Sequence, residues 1–193
     1  TNADARVQAA LESSLKQLAL DDAVRDGRLA VTLVDITHPE TPRLAQVNGD
    51  HMMYAASLPK IAILLAAFEK AEESGQPLSE AELEELTRMI RVSSNVAATD
   101  ALNRVGMGYL ARVLQSDRYR LYDPARNGGL WVGKPYGPLP ATHRDPLHNL
   151  SHGATAHQVA RFYYLLETGQ LVSPQASLQM KEILGSPGIR HKF

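Results

Sequence analysis

The sequence contains no cysteine, which excludes disulfide staples and thiol nucleophiles. That absence leaves the compartment open, because cysteine-free chains suit the cytosol and an oxidising periplasm alike. It also lacks an apolar run of membrane length. The longest, Ile61 to Phe68, falls far short of the roughly 20 residues that a spanning helix needs. Neither sign of charge dominates: a formal net charge of -1 offers no basic field for nucleic acid or a membrane surface. The chain opens on Thr1 without a basic-then-apolar leader, which fits a processed export form and a shortened chain equally. What remains is 193 residues, 44% hydrophobic and 21% charged, the profile of a soluble globular protein with one domain or two small lobes on a shared core.

The stretch around which the chain is organised is Tyr54-Ala55-Ala56-Ser57-Leu58-Pro59-Lys60, followed by the apolar run. Pro59 has no N–H to donate, which is harmless only in a helix's first turn, so the helix is expected to begin near Ser57. Ser57 then sits where unpaired N–H groups and the positive end of the helix dipole gather. Lys60 lies one turn along on the same face. Because the run after Lys60 is apolar on every face, the helix is expected to be buried all round. Desolvation lowers a lysine's pKa and fits it to accept a proton, so the pair is equipped for nucleophilic catalysis. The bland alternative is an N-cap serine and a lysine that snorkels out. The same spacing at Ser13-Ser14-Leu15-Lys16 falls inside an ordinary amphipathic helix with no turn before it and carries no site.

Periodicity and caps predict the remaining elements. A helix over 4–20 carries the stripe Val7, Ala10, Leu11, Leu15 and Leu18. Leu29 to Ile36 and Arg43 to Asn48 read as a hairpin. The serine–lysine helix ends near Gly75. Ser79, with Glu82 three residues on, forms a capping box for a helix to about Val92 whose inner face is Leu83, Leu86, Met89 and Ile90. Helices follow over 96–105, 109–115, 155–168 and 174–184. Between them, residues 116–153 hold five prolines and five glycines with little helical period, the mark of a functional or disordered loop. One hairpin followed only by helices reads as a sheet left unfinished, since a lone hairpin is marginal in water.

A second signal is Ser93-Ser94-Asn95, set between two helices 36 residues after Ser57. By itself it reads as a helix N-cap. In order with Ser57-Leu58-Pro59-Lys60, with Ala55-Ala56 before the serine and Asn95-Val96-Ala97-Ala98 and Asp100-Ala101-Leu102 after, it resembles the class A serine β-lactamases and their penicillin-binding relatives over about residues 4–185. The resemblance implies an α/β (α+β) two-lobe fold. Residues 1–50 would supply the helix and hairpin of one lobe and residues 51–185 the helical lobe of a single domain, 1–193, whose closing C-terminal strands are missing. It implies an acyl-serine hydrolase without cofactor or metal. Ser57 would be the nucleophile, Lys60 its base and the Ser57 N–H half of an oxyanion hole. Ser93 would be the proton donor to the leaving nitrogen, and Asn95 would hold the substrate amide and Lys60. The implied partners are a small β-lactam or a peptidoglycan-like peptide, with no nucleic acid and no membrane span, and the implied location is periplasmic or secreted.

The chain departs from that pattern twice. No glutamate occurs between Glu85 and Glu167, so the loop lacks the carboxylate that activates the deacylating water in class A enzymes. The loop offers Asp123 and Asp145 as carboxylates and His143, His148 and His152 as imidazoles; Asp145 and His143 are the candidates for water activation, although Arg144 beside Asp145 suggests a loop-staple ion pair. Nor is there any Lys-Thr-Gly or Lys-Ser-Gly, the strand that supplies the second oxyanion donor and the substrate-carboxylate site, so a C-terminal remainder is expected to complete the site. Rival readings are a penicillin-binding or D-alanyl peptidase-like protein that stays acylated, a non-lactam esterase, a non-catalytic helical protein using both motifs as caps, and a zinc site from His143, His148, His152, His157 and Asp145, whose spacing fits no compact metal motif. Trp131 reads as core or as a substrate platform.

Overall fold

The computed structural model describes residues 2–188. Among them are eight α-helices and three small sheets. The first sheet contains the expected hairpin, β2 (Val31–Asp35) and β3 (Arg43–Val47), paired antiparallel from Val31 opposite Val47 to Asp35 opposite Arg43. A two-residue strand, β1 (Asn2–Ala3), adds parallel to β3, so the order is β1-β3-β2. α1 (Ala5–Gln17) packs on β3, with the Gln8 side chain exchanging hydrogen bonds with the Gln46 backbone at 2.9 and 3.1 Å. Of the predicted stripe on this helix only Leu15 is buried, and Leu18 is 68% exposed. A short helix, α2 (Asp21–Arg25), fills the connection to β2.

The helical lobe is built round α3 (Lys60–Ser74). Every residue from Lys60 to Glu69 is buried, as the unbroken apolar run predicts. At about 1.5–3 kcal/mol for each fully buried large aliphatic side chain, this helix carries a large share of the hydrophobic stabilisation. It ends where Gly75 takes a left-handed conformation (φ 66°), and its N–H returns to the last turn. Packed on α3 or on each other are α4 (Glu80–Arg91), opened by the Ser79–Glu82 capping box, α5 (Asn95–Val105), α6 (Met107–Gln115) and α8 (Pro174–Leu184). α7 (Ala156–Glu167) bridges the lobes by packing against β2 and α8.

The 116–153 stretch is more ordered than its composition suggests. β5 (Tyr122–Asp123) pairs with β6 (Gly128–Gly129) around a 3-10 turn at Pro124–Arg126, in which Asp123 accepts from the Ala125 N–H. Gly129 is required there: at φ 153° any Cβ would lie 2.0 Å from the Leu121 carbonyl oxygen. β4 (Met53–Tyr54), β8 (His152–Ala154) and β7 (Trp131–Val132) then form a second sheet in the order β4-β8-β7. The expectation of a single hairpin followed only by helices therefore misses two sheets. Their strands run two or three residues, too few to show an alternating pattern. Among the described residues no helix is long and apolar enough to cross a membrane.

Candidate active site

The second sheet delivers the serine turn. β4 runs directly into it, and the Ala55 N–H donates to the His152 carbonyl at 3.1 Å, which ties the start of the turn to β8. Ala56 is left-handed (φ 46°), an uncommon conformation for a residue with a side chain and one that concentrates at functional sites. Residues 57–59 form a tight turn ahead of α3, with Lys60 N–H on the Ser57 carbonyl at 3.1 Å and Ala62 N–H on Pro59 at 2.9 Å. Ser57 thus stands exposed at the mouth of the helix, while Lys60, one turn on, is only 2% exposed.

The Lys60 ammonium is held by three oxygens of the interhelical turn. It lies 2.6 Å from the Ser93 carbonyl, 3.0 Å from Ser93 Oγ and 2.8 Å from Asn95 Oδ1. Ser93 is itself left-handed (φ 54°), which lets carbonyl and hydroxyl face one amine, and Ser94 rather than Asn95 caps α5 by accepting from Ala97 N–H. All three oxygens belong to neutral groups. Burial therefore acts on Lys60 without an opposing carboxylate and pulls its pKa from 10.5 to about 8. Of the three partners only Ser93 Oγ can both accept and donate, so once the amine has lost its proton, Ser93 is the partner able to hydrogen-bond to the lone pair.

The long loop brings an aromatic ring to this amine. Tyr136 lies with its ring centroid 4.8 Å from Lys60 Nζ, within cation–π range. It is clamped to α5 through Thr99, whose Oγ1 accepts from the Tyr136 N–H at 3.1 Å and donates to its carbonyl at 3.4 Å. Thr99 is one turn beyond Asn95, so loop and motif share one helix face. Against the same Tyr136 ring, at 4.4 Å between centroids, stands the imidazole of His152, which is 3% exposed. Neither Tyr136 nor Thr99 carries a sequence signal beyond a place in the Pro/Gly-rich loop or a helix. The roles of His152 in β8 and Tyr136 over Lys60 were not legible.

The proposed water activators are engaged by other partners. Asp145 is buried, but its carboxylate accepts from the Tyr122 hydroxyl and, at 2.6 Å, from the His148 N–H. The expected ion pair with Arg144 is replaced by this Tyr122–Asp145 staple, and Arg144 instead donates to the Asn149 carbonyl at 2.8 Å. Asp145→Ala leaves the buried Tyr122 hydroxyl unpaired and is expected to cost about 1–3 kcal/mol in a urea melt; an unchanged midpoint would show that the staple carries nothing. His143 is exposed on the loop with its ring on Thr142 Oγ1, and its carbonyl accepts from Trp131 Nε1 at 2.7 Å. Trp131 is core, 7% exposed and packed on Tyr122. His148 bonds the Asn127 carbonyl and His157 bonds Gln46, so the four histidines serve separate contacts. Among the described residues no three histidine or carboxylate side chains gather as a metal site would require.

Residues 10–83 match the family model described as the β-lactamase enzyme family. No curated protein matches the chain. Among solved structures, a β-lactamase from Sphaerobacter thermophilus is similar at a TM-score of 0.64 and 17% identity, over 91% of this chain and 71% of that one. PBP-A is similar at 0.62 and 18%, over 83% of this chain and 62% of its own. A double mutant of a class A β-lactamase of the last common ancestor of Gram-negative bacteria, bound to a nitrobenzotriazole transition-state analogue, is similar at 0.54 and 19%, over 82% and 64%. This chain thus spans less than two thirds of the last two. At these identities the likeness is one of fold, mixed α/β with a helical lobe beside a small antiparallel sheet. Over residues 10–83 the chain is similar to the β-lactamase enzyme family, and over most of its length it shares the fold of these structures.

Proposed function

We propose that the chain is an acyl-serine hydrolase of the β-lactamase and penicillin-binding kind. Ser57 attacks the carbonyl of a β-lactam or of a peptidoglycan-like peptide and carries the acyl group as an ester. The observation that carries this reading is the set of three neutral oxygens from Ser93 and Asn95 on the buried amine of Lys60. An amine so held has a pKa near the working pH and can take the Ser57 proton as the Oγ–C bond forms. Ser93 Oγ then passes a proton from Lys60 to the leaving nitrogen as the C–N bond breaks, and the amine returns to its neutral state. Asn95 orients the substrate amide, and the exposed Ser57 N–H is the first oxyanion donor. The reading includes a further segment bearing a Lys-Thr/Ser-Gly strand as the second donor. A cell-wall or β-lactam substrate places the protein outside the cytoplasm, in the periplasm or secreted.

The test is intact mass after incubation of the longest available form with benzylpenicillin. A penicillin-sized increment in the wild type that is absent in Ser57→Ala is the expected result. An increment that survives Ser57→Ala, or none in the wild type, would overturn the reading. The loop's lack of a carboxylate at Lys60 gives weight to the slowly deacylating, penicillin-binding version, in which the increment persists for minutes or longer.

A further inference from the structure

The acyl-serine reading leaves open what removes the acyl group in a site where the loop places no carboxylate on the lysine. Two atoms on the rings stacked near Lys60 bear on this. The Tyr136 hydroxyl oxygen and His152 Nε2 are both fully buried, and neither has a hydrogen-bond partner among the described residues. Buried polar atoms are nearly always satisfied, and two on adjacent rings mark a place for one small polar molecule that bonds to both. The two rings stand next to the Lys60 amine and the start of the serine turn. The Tyr136 ring touches both the His152 ring and the Lys60 amine, and the His152 carbonyl anchors Ala55, two residues before Ser57. On the remaining side the Tyr54 ring meets His152 edge-on at 6.5 Å.

We propose that Tyr136 and His152 seat the hydrolytic water, with His152 Nε2 as the general base of deacylation and Tyr136 as a positioning residue that donates its hydroxyl hydrogen to the water. The inference rests on the acyl-serine reading. In the step itself the water oxygen bonds to the acyl carbon while its proton passes to Nε2. The bond from the acyl carbon to Ser57 Oγ then breaks, and Oγ is reprotonated by the proton His152 releases through Lys60. The free acid and the serine hydroxyl are regenerated with no other reactant. The chemistry of the imidazole suits the task. Burial, with the Lys134 and Lys60 charges adding to it and the Lys134 backbone opposing, pulls its pKa from 6.5 to about 4. That is the ordinary range of a carboxylate, so the ring is an unprotonated acceptor at neutral pH with about the basicity of the glutamate the loop lacks.

His152→Phe keeps the stack on Tyr136 and removes the nitrogen, and Tyr136→Phe keeps the ring and removes the hydroxyl. After excess benzylpenicillin is removed, decay of the acyl adduct is followed by intact mass in both variants and the wild type, with melting curves confirming the fold. His152→Phe is expected to form the adduct at about the wild-type rate and to lose it about 100-fold more slowly, and Tyr136→Phe about 10-fold more slowly. In parallel, NMR of 15N-labelled histidine in the unliganded protein is expected to show His152 Nε2 without a proton at pH 7, with a shift that moves in Tyr136→Phe. Wild-type decay in His152→Phe, or a wild-type adduct that never decays, overturns the assignment. So does an Nε2 that carries the proton, which would leave the acyl-serine reading standing. No adduct in the wild type overturns the acyl-serine reading itself and the catalytic role of His152 with it.

Discussion

Lys60→Met is expected to slow acylation of Ser57 by about 100- to 10,000-fold, the range over which a positioned general base contributes. Methionine fills most of the lysine stem's volume, and ten consecutive buried residues of α3 hold the position, so the loss falls on chemistry more than on folding. The Ser93 and Asn95 oxygens lose their donor, and a melt run alongside separates that cost from the rate. The wild type carries a matching pH signature. Only the unprotonated amine is a base, and its pKa stands at about 8, so roughly one molecule in ten is competent at pH 7 and half at pH 8. The acylation rate therefore climbs from pH 6 and levels off above about 9. Stability moves the same way: the folded-state pKa lies below the unfolded value of 10.5, the unfolded chain binds the extra proton between about 8 and 10.5, and stability rises with pH across that window. An acylation rate that is flat from pH 6 to 9, or equal in Lys60→Met, would remove Lys60 from the role of base.

Phe162→Ala carries the largest expected cost in stability, about 3–5 kcal/mol. The ring is fully buried on α7, edge-on to Tyr163 at 5.4 Å, in the element that joins the hairpin to the helical lobe. Little can move in to fill the space, because α7 is pinned at its start by Thr155, whose Oγ1 caps the helix through the Gln158 N–H, and by the His157 N–H on the Gly49 carbonyl. Against a typical total of about 5–15 kcal/mol, a loss of this size is expected to appear in a urea melt as partial unfolding at room temperature. A cost below about 1 kcal/mol would mean that the two lobes are not coupled through this side chain.

The helices were legible because their information is local. The Ser79–Glu82 box, the Gly75 stop, the Pro174 start and the unbroken apolar run of α3 each specify an end or a face within a few residues. The lysine's burial followed from that run, and its contact with Asn95 from the resemblance to a known family; its two contacts with Ser93 were not foreseen. What was hidden depends on long-range partners. Asp145 finds Tyr122, 23 residues earlier, and not its neighbour Arg144. Tyr136 finds Thr99 and Lys60 only because the loop folds back over α5. The strands that position Ser57 are too short for a period, and Leu18 completes a stripe that the sheet does not cover.

The wholesale burial of α3 sets how freely this region can drift. Along α1 a random substitution meets one buried side chain in thirteen residues. From Lys60 to Glu69 it meets one at every position, immediately downstream of Ser57. A library of single replacements is therefore expected to show this decade as an uninterrupted band of intolerance set by packing, within which the lysine is lost for a second and separate reason. Sequence divergence can accumulate in the long loop and on the exposed faces of the other helices, whereas the stretch after Ser57 is held by volume at every position.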